Sequence, residues 1–411
     1  MHILLIHQSF TSLDEPGGTR HYELARLLAA RGHRITVIAS PVSYLTGGRM
    51  QALGESHGEG ENRNITVLRA STYSALHRSF LHRLISFFSF MISSFFIGLG
   101  VKNVDVVWGT SPPIFQGVTA WSLARLKGAR FLFEVRDLWP KFAIAVGVLK
   151  SRLLISLSLW LERFLYLHAD RVVVNSPGFV SHVRERGARK VDLIPNGSDP
   201  DMFDPANTGK NFRRQYHLEG KFVVLYAGAH GISNDLGVVL DAASRLVGDP
   251  RVMVVLIGDG KEKTNLVAQA ESHHLDNVIF LPPCPKQDMP DALAGADVCL
   301  AILKPLEEYK TTYPNKVFDY MAAARPVLLA VDGVIRELVE QAGCGVFVPP
   351  GDAAALAAGI LKMVDVPVEN RLMGMAGRKY LEENYSRGRI AEKLLQVLED
   401  MVRERKDLRP E

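Results

Sequence analysis

The sequence predicts an α/β protein built from two Rossmann-like, doubly wound domains. Short apolar runs alternate with helix-like stretches, as expected for a parallel sheet covered by helices. The alternation restarts after PNGSDPDMFDPANTG, a stretch rich in turn formers. The chain has 411 residues and is 47% hydrophobic, which is enough for two substantial cores.

The elements of each domain follow in order along the chain. The predicted strands of the first domain are HILLI, ITVIA, ITVLR, VDVVWG, RFLFEV, RVVVN and VDLIP. Those of the second are KFVVLYAG, VMVVLIGDG, VIFL, DVCLAIL, PVLLA and GVFVP. We place the N-terminal domain at residues 1–200 and the C-terminal domain at 215–385. Residues 386–411 predict an amphipathic helix that packs back toward the N-terminal domain.

Composition excludes several classes of protein. A formal charge of +4 is mildly basic, which suits anionic ligands or an anionic lipid surface but not nucleic acid. The three cysteines form no CxxC pair and have no histidines at metal-binding spacing. The N-terminus MHILLIHQSF lacks the features of a signal peptide. These features predict a reduced, cytoplasmic protein.

Three glycine-rich loops follow predicted strands. They contain Gly17-Gly18, Gly228 with Gly231, and Gly258 with Gly260, and each lets backbone N–H groups approach an anion. Tight turns without a ligand are the alternative for each loop taken singly. A dinucleotide cofactor is disfavoured because no loop completes the GxGxxG pattern and Ser40 stands where an acidic residue is needed.

A lysine occupies an unfavourable place in TYPNKVFDYMAAARPVLLA, residues 312–330. Apolar spacing predicts a helix with Asn315 as its N-cap and Lys316 in its first turn. A cation there opposes the helix dipole by roughly 0.3 to 1 kcal/mol. We expect an anionic ligand to offset this term; the alternative is a surface ion pair between Lys316 and Asp319.

Together these segments resemble the retaining GT-B-fold glycosyltransferases of family 4. The resemblance covers nearly the whole chain, and its motifs are Gly17-Gly18, FEVRDLWP, VVVNSPG, IPNGSDPDMF, YAGAHG, IGDG and PNKVFDYMAAARPVL. RDLWP and the Pro-Asn-Lys block look most like the subgroup that transfers N-acetylfucosamine or related acetamido sugars. The resemblance implies two domains facing a central cleft. It also implies transfer from a UDP-sugar to a polyprenyl-diphosphate-linked saccharide in bacterial surface polysaccharide synthesis, without cofactor or metal.

The resemblance also assigns site residues. It implies that Lys316 pairs with the donor diphosphate, and we add Lys304 as a candidate replacement for the cations that the family usually places there. Asp137 follows a predicted buried strand and is our candidate for the acceptor-side carboxylate, beside Arg136. The remaining expected donor-binding residues are Gly17, Gly18, Gly228, His230, Gly258, Asp259, Gly260, Asn315 and Asp319. For Asp137, a salt bridge with Arg136 or a helix cap is the structural alternative.

This sequence departs from the family pattern at several positions. Thr311 replaces the first of two family glutamates, and Asp319 the second. The usual arginine and lysine after the first strand of the second domain are absent. Asp199-Pro200-Asp201 resembles a metal-binding pattern, but its linker position favours turn chemistry. Two further functions stay open, a UDP-sugar 2-epimerase and an inactive sugar-nucleotide-binding partner.

Residues 76–102 suggest contact with a membrane. Leu84 to Val101 is an uncharged run of 18 residues, long enough to span a bilayer. If the strands predicted on both sides of it belong to one parallel sheet, the segment must return to the side it left. A buried crossover helix is one interpretation. We favour a membrane-facing helix, anchored by Arg78, His82, Arg83 and Lys102, which attaches the enzyme peripherally to the inner face of the cell membrane.

Overall fold

The computed structural model describes residues 1–42, 64–74 and 80–406. The strands in these residues are β1 (His2–Ile6), β2 (Arg34–Ala39), β3 (Ile65–Arg69), β4 (Val106–Ser111), β5 (Arg130–Val135), β6 (Arg171–Val174), β7 (Val191–Leu193), β8 (Phe222–Ala227), β9 (Val252–Ile257), β10 (Val278–Leu281), β11 (Val298–Ile302), β12 (Val327–Ala330) and β13 (Gly345–Phe347). The α-helices are α1 (Arg20–Ala30), α2 (Phe80–Gly100), α3 (Phe115–Lys127), α4 (Lys141–Ala145), α5 (Arg152–His168), α6 (Val180–Glu185), α7 (Lys210–Gln215), α8 (Leu236–Ser244), α9 (Lys263–Ser272), α10 (Met289–Ala294), α11 (Asn315–Ala322), α12 (Val334–Ala342), α13 (Ala353–Val364), α14 (Pro367–Asn384) and α15 (Arg387–Lys406).

Every predicted apolar run coincides with one of these strands. All described strand pairs are parallel, in two sheets of order β3-β2-β1-β4-β5-β6-β7 and β10-β9-β8-β11-β12-β13. The prediction of two doubly wound α/β sheets is therefore confirmed.

The chain divides into two compact units. Unit 1 contains residues 1–12, 17–195 and 388–411, and unit 2 contains residues 13–16 and 196–387. The change of unit at Pro195–Asn196 falls within the predicted N-terminal domain of residues 1–200. The segment that we expected to form a terminal helix contains α15.

Unit 1 has a hydrophobic core on each face of its sheet. One core packs α2, α3 and α5 against β4 and β5. The other packs α1 and α15 against β1 and β2, and Ile390, Leu394 and Leu398 of α15 are fully buried there. The central strand β1 is buried along its whole length, which is why it reads as the uninterrupted apolar run HILLI.

Unit 2 repeats this plan around β8 and β11. Helices α11 and α12 contribute to the core on one face, and α8 and α13 to the core on the other. The loops at the carboxyl ends of its strands carry the glycine-rich sequences after β8 and β9.

Strand order reverses once in each sheet. In unit 1 the chain winds outward from β1 through β2 and β3, and then resumes on the other side of β1 with β4. In unit 2 the equivalent point lies between β8 and β11. Ligands of doubly wound sheets bind outside the carboxyl ends of the strands at such points. These two places are where a site is expected.

Helix α2 is the crossover between β3 and β4 of one parallel sheet. The part from His82 to Gly100 has a mean hydropathy of 1.6, and only 22% of its most apolar window is buried. It is long and apolar enough to cross a membrane by length and composition. Phe90 and Ser94 face the core, whereas Ile92 and Phe96 are exposed by 54% and 67%. The predicted anchor Arg78 lies outside the described residues.

Candidate active site

Two glycine loops interlock at the carboxyl ends of β8 and β9. The N–H of Gly228 donates to the carbonyl of Ile257, and the N–H of His230 donates to the carbonyl of Asp259. Gly258 has φ +149°, and a Cβ there would collide with the carbonyl oxygen of Gly228. Only glycine permits this approach of the two backbones. We call Gly228, His230, Gly258, Gly260 and Lys316 the glycine cradle.

Lys316 is buried in this cradle without a hydrogen-bond partner among the described residues. Its Nζ lies 3.5 Å from the ring centroid of Tyr226, and a Cβ at Gly228 would approach that nitrogen to 2.8 Å. Burial holds the pKa of the Lys316 amine well below its ordinary value. The lysine is therefore no solvated surface residue.

The start of α11 differs from the prediction. Pro314 is the N-cap, Asn315 is the first helical residue, and no side chain caps the helix. The prediction of Asn315 as N-cap is wrong, because proline with its fixed φ already occupies that position. The Asn315 Oδ1 is instead buried without a partner in the part of the chain that the structure describes.

His230 adds two more unpaired buried atoms. The residue is fully buried, and neither ring nitrogen has a partner among the described residues. Burial, together with the charges of Lys263 and Lys316, lowers the pKa of His230 to about 4, although Asp259 opposes this shift. A buried polar group without a partner costs about 1 to 3 kcal/mol. The concentration of such groups around Lys316 indicates a ligand site.

Asp319 makes a contact that the sequence did not reveal. Its Oδ1 lies 2.5 Å from the Nζ of Lys286 and accepts a hydrogen bond of 2.7 Å from the Ser198 hydroxyl. The alternative of a surface ion pair between Lys316 and Asp319 is therefore wrong. The expected contact of Asp319 with ribose stays a prediction. Lys286 follows β10 at the carboxyl edge of the sheet. That position alone could have marked Lys286 as a candidate site residue from the sequence.

Lys304 occupies a different part of the same edge. Its backbone N–H donates to Ser233, and its charge acts on Asp235. It also lines a cavity of about 220 Å³ together with Tyr309, Lys310 and Asp332. No contact among the described residues joins Lys304 to Lys316. A shared role for the two lysines at the diphosphate stays a prediction.

Unit 1 carries Arg136 and Asp137 directly after β5. An Arg136 Nη donates to the carbonyl of Pro112 at 2.7 Å, while its buried Nε has no partner in the described chain. Burial raises the pKa of Asp137 to about 6, with Arg136 opposing the shift. The described residues contain no ion pair or side-chain cap that occupies the Asp137 carboxylate. The two structural alternatives for Asp137 are thus not observed.

A buried polar cluster that the sequence did not predict lies beneath this edge. The carboxylate of Glu134 accepts hydrogen bonds from Arg20 at 3.0 Å, His21 at 2.7 Å and Trp108 at 3.0 Å. Burial alone would raise the pKa of Glu134, but His21 and Arg20 hold it well below its ordinary value. The ring centroids of His7 and His21 are 4.0 Å apart. These residues come from β1, α1, β4 and β5, so only the folded chain assembles them.

The remaining predicted residues fall in loops. Gly17 and Gly18 precede α1 in unit 1, whereas the glycine cradle belongs to unit 2. The N–H of Gly260 donates to the Asp259 side chain at 2.7 Å. The Asp199 carboxylate accepts from the N–H of Asp201, so the turn chemistry expected there is confirmed. The described residues contain no group of three histidine, cysteine or acidic residues able to hold a metal.

Comparison with known proteins connects this geometry to a family. Residues 17–197 match the family described as a glycosyl transferase 4-like domain, and residues 221–365 match glycosyl transferases group 1. Together the two matches cover more than three quarters of the chain. The chain is a GT-B glycosyltransferase. The expected nucleotide-sugar-dependent transferase activity is thereby confirmed.

Individual relatives of the glycosyltransferase agree with this assignment. The putative colanic acid biosynthesis glycosyl transferase WcaI of Escherichia coli K12 is 27% identical over 377 residues, covering 88% of this chain and 90% of the relative. Sucrose-phosphate synthase from Thermosynechococcus elongatus superposes with a TM-score of 0.79 at 18% identity, covering 98% and 99% of the two chains. HepE of Anabaena in complex with UDP-glucose gives a TM-score of 0.72 at 17% identity, covering 97% and 100%. At these identities the two structures show the GT-B fold alone.

Proposed function

We propose that the glycosyltransferase moves an N-acetylated amino sugar from UDP to a polyprenyl-diphosphate-linked saccharide in bacterial surface polysaccharide synthesis. The family assignment supports transfer from a nucleotide sugar. The resemblance of RDLWP and the Pro-Asn-Lys block to the acetamido-sugar subgroup supports the choice of sugar. The names of WcaI and of HepE with UDP-glucose support the polysaccharide pathway and the UDP donor.

One observation carries the donor proposal. The amine of Lys316 and both ring nitrogens of the fully buried His230 are buried in the glycine cradle and lack partners among the described residues. A diphosphate supplies acceptor oxygens for the amine and for the N–H groups that start α11. Binding would therefore satisfy groups that are unfavourable in the empty cradle.

The same groups favour the chemical step. Departure of UDP from the sugar develops negative charge on the leaving phosphate, and a fixed cation stabilises that charge more than it stabilises the bound substrate. Lys316 would supply this charge, because a diphosphate beside its amine favours the protonated form that burial alone disfavours. The reaction needs no protein nucleophile if the leaving phosphate accepts the proton of the incoming hydroxyl at the same face of the sugar. This front-face path is what the resemblance to retaining enzymes implies.

A lipid-linked acceptor needs the enzyme at a membrane surface, and unit 1 offers an apolar face for it. We define the apolar face by the exposed side chains of α2, α3 and α5, which pack side by side on one face of the sheet. They include Ile92, Phe96, Leu126, Leu153 and Trp160. Trp160 and Leu153 are exposed by 63% and 69%.

The charges around the apolar face match an anionic lipid surface. Helices α2 and α3 contain no acidic residue, and Glu162, the sole acidic residue of α5, is fully buried. Exposed cations border the face at Arg83, Lys102, Arg125, Lys150 and Arg152. Apolar side chains among cations are typical of proteins that lie on a bilayer. We propose that this face attaches the enzyme to the inner face of the cell membrane.

One assay tests the proposed reaction. The protein is incubated with UDP-N-acetylglucosamine, with and without an N-acetylglucosamine that is joined through diphosphate to a farnesyl chain. Release of UDP together with a longer lipid-linked saccharide is the expected result. Epimerisation of the donor without acceptor would instead indicate a 2-epimerase, and binding without either product would indicate an inactive sugar-nucleotide-binding partner.

A further inference from the structure

The switch point of the sheet in unit 1 carries a histidine with an unused ring nitrogen. His7 follows β1 directly and is 2% exposed. Its Nδ1 lies 2.9 Å from the Oγ1 of Thr110, which belongs to β4 on the other side of the switch point. No hydrogen bond to the His7 Nε2 occurs within the described residues. The Nδ1 of His7 is therefore fixed by Thr110, whereas its Nε2 is available to a ligand.

The neighbouring hydrogen bonds fix which ring nitrogen carries the proton. The backbone N–H of Gln8 donates to the Gln116 Oε1 at 2.9 Å, so the amide nitrogen of Gln116 points the other way. That nitrogen donates to the Thr110 Oγ1 at 2.7 Å. Thr110 is fully buried, and in the described chain the His7 Nδ1 is the remaining acceptor for its hydroxyl hydrogen.

It follows that the His7 Nδ1 accepts a hydrogen bond and that a neutral His7 carries its proton on Nε2. Burial is the main cause that lowers the pKa of His7 well below its ordinary value, and the charges of His21 and Arg136 lower it further. The ring is therefore neutral near pH 7. The chain thus presents an oriented Nε2–H donor at the carboxyl edge of the sheet.

Two groups that follow β5, at the same carboxyl edge of the sheet, suggest what this donor would bind. The buried Nε of Arg136 is a second donor without a partner in the described residues, and the half-buried Asp137 carboxylate is an acceptor without one. Donors and an acceptor together suit hydroxyl groups, because each hydroxyl both donates and accepts. A purely anionic ligand would be repelled by Asp137. The combination suits a saccharide.

We propose that His7 is a substrate-binding residue that donates its Nε2–H to a hydroxyl oxygen of a saccharide held at the switch point of unit 1. This proposal rests on the proposed glycosyl transfer and names a binding residue for it. The saccharide is either the sugar of the donor or that of the acceptor. His7 acts through a single oriented hydrogen bond, and Asp137, which follows β5 at the same carboxyl edge of the sheet, would receive the hydrogen of another hydroxyl of the saccharide.

Two conservative substitutions separate binding from a structural role. In His7→Gln the side-chain amide nitrogen replaces Nε2–H, whereas in His7→Asn the shorter amide replaces only the contact of Nδ1 with Thr110. We expect His7→Gln to keep KM for the saccharide substrate within about threefold, and His7→Asn to raise it by about tenfold, the scale of one hydrogen bond. Equal values for both variants, or a greater loss in His7→Gln, would overturn the proposal. His273→Gln on the exposed end of α9 is the matched control.

Nuclear magnetic resonance of the wild-type protein gives a readout that does not depend on the folding of variants. With ¹⁵N-labelled histidine, the signals lost in His7→Gln identify His7, and its nitrogen shifts report the tautomer. We expect the proton on Nε2 in the free enzyme. The Nε2 signal should move with UDP-N-acetylglucosamine if the donor sugar binds, or with the farnesyl-diphosphate-linked sugar if the acceptor binds, but not with UDP alone. A proton on Nδ1, or no movement with either sugar, overturns the proposal. Failure of UDP itself to bind would contradict the donor site and leave this readout intact.

Discussion

At the scale of single residues, the unusual property of this enzyme is a buried amine without an anion beside it. Lys316 lies against the Tyr226 ring and has no hydrogen-bond partner among the described residues. A cation over an aromatic face recovers about 0.5 to 2 kcal/mol, which is less than the penalty of burying an unpaired charge. Burial therefore lowers the pKa of this amine, and a diphosphate beside it would favour the charged form again.

Lys316→Met should separate activity from stability. Methionine fills a similar space without the amine, so we expect the midpoint of thermal unfolding to rise. Turnover should fall by about a hundredfold, because one preorganised charge at the developing anion is lost. Steady-state kinetics and calorimetry on the same preparation check both effects. Lys362→Met on the exposed side of α13 should change neither, and normal turnover in Lys316→Met would contradict the assignment.

Asp137 should make stability depend on pH in a defined direction. Burial raises its pKa from 3.8 to about 6, so the folded protein keeps a proton that the unfolded chain releases between these pH values. Stability contributed by this group is therefore present below about pH 4 and is lost as pH rises through about 6. Asp137→Asn should unfold at a higher temperature than the wild type at pH 7.5 and at the same temperature at pH 3.5. An equal difference at both values would show that the carboxyl is not responsible.

At the scale of elements, strands were predictable and polar contacts were not. Buried parallel strands such as β1 and β8 read as short apolar runs, so their positions follow from the sequence. The pairing of Lys286 with Asp319 depends on a loop after β10 that reaches α11, and no local pattern encodes it. His7 was missed for the same reason, because its tautomer is set by Thr110, which is 103 residues away. The exposure of α5 could not be predicted either. Its sequence is as rich in leucine as that of a buried helix, yet Leu153 and Leu157 are exposed.

The exposed helices of unit 1 give a prediction about membranes. Replacing Ile92, Phe96 and Trp160 with serine should release the enzyme from liposomes that contain anionic lipid, because these apolar side chains are exposed by more than half. Folding should be preserved, since none of the three belongs to the buried core. Co-sedimentation measures binding, and Leu372→Ser, at a residue of unit 2 with 60% exposure, is the matched control. A wild-type enzyme that stays in the supernatant would remove the membrane proposal.

At the scale of the whole molecule, the two sheets share one plan and differ in chemistry. Unit 2 places a buried amine and glycine loops at the carboxyl ends of its strands, while unit 1 places His7, Arg136 and Asp137 at the equivalent edge. The fold could be predicted because alternation of strands and helices is a repeated, local signal. The site was predicted in part, since Lys316 and Asp137 stand in recognisable segments whereas their partners come from distant ones.

The chemistry of the cradle predicts that the reaction needs no divalent cation. Lys316 and the backbone N–H groups at the start of α11 would neutralise the diphosphate, which is the task of a metal in other phosphate-transferring sites. We expect unchanged turnover in EDTA, measured as release of UDP in the presence of the lipid-linked acceptor. Loss of activity in EDTA that returns with added Mg²⁺ or Mn²⁺ would contradict this expectation.

Helix α15 has a consequence for how the protein is made. Its residues Ile390, Leu394 and Leu398 complete the core of unit 1, yet the rest of that unit ends at Pro195. Roughly 190 residues must be translated in between, which takes about 10 to 40 seconds at ribosomal rates of roughly 5 to 20 residues per second. During that time β1 and β2 expose the apolar surface that α15 will cover. Unit 1 is thus begun first but completed only after unit 2 has been synthesised. Until then, a nascent-chain chaperone could bind the apolar surface of β1 and β2 that α15 later covers.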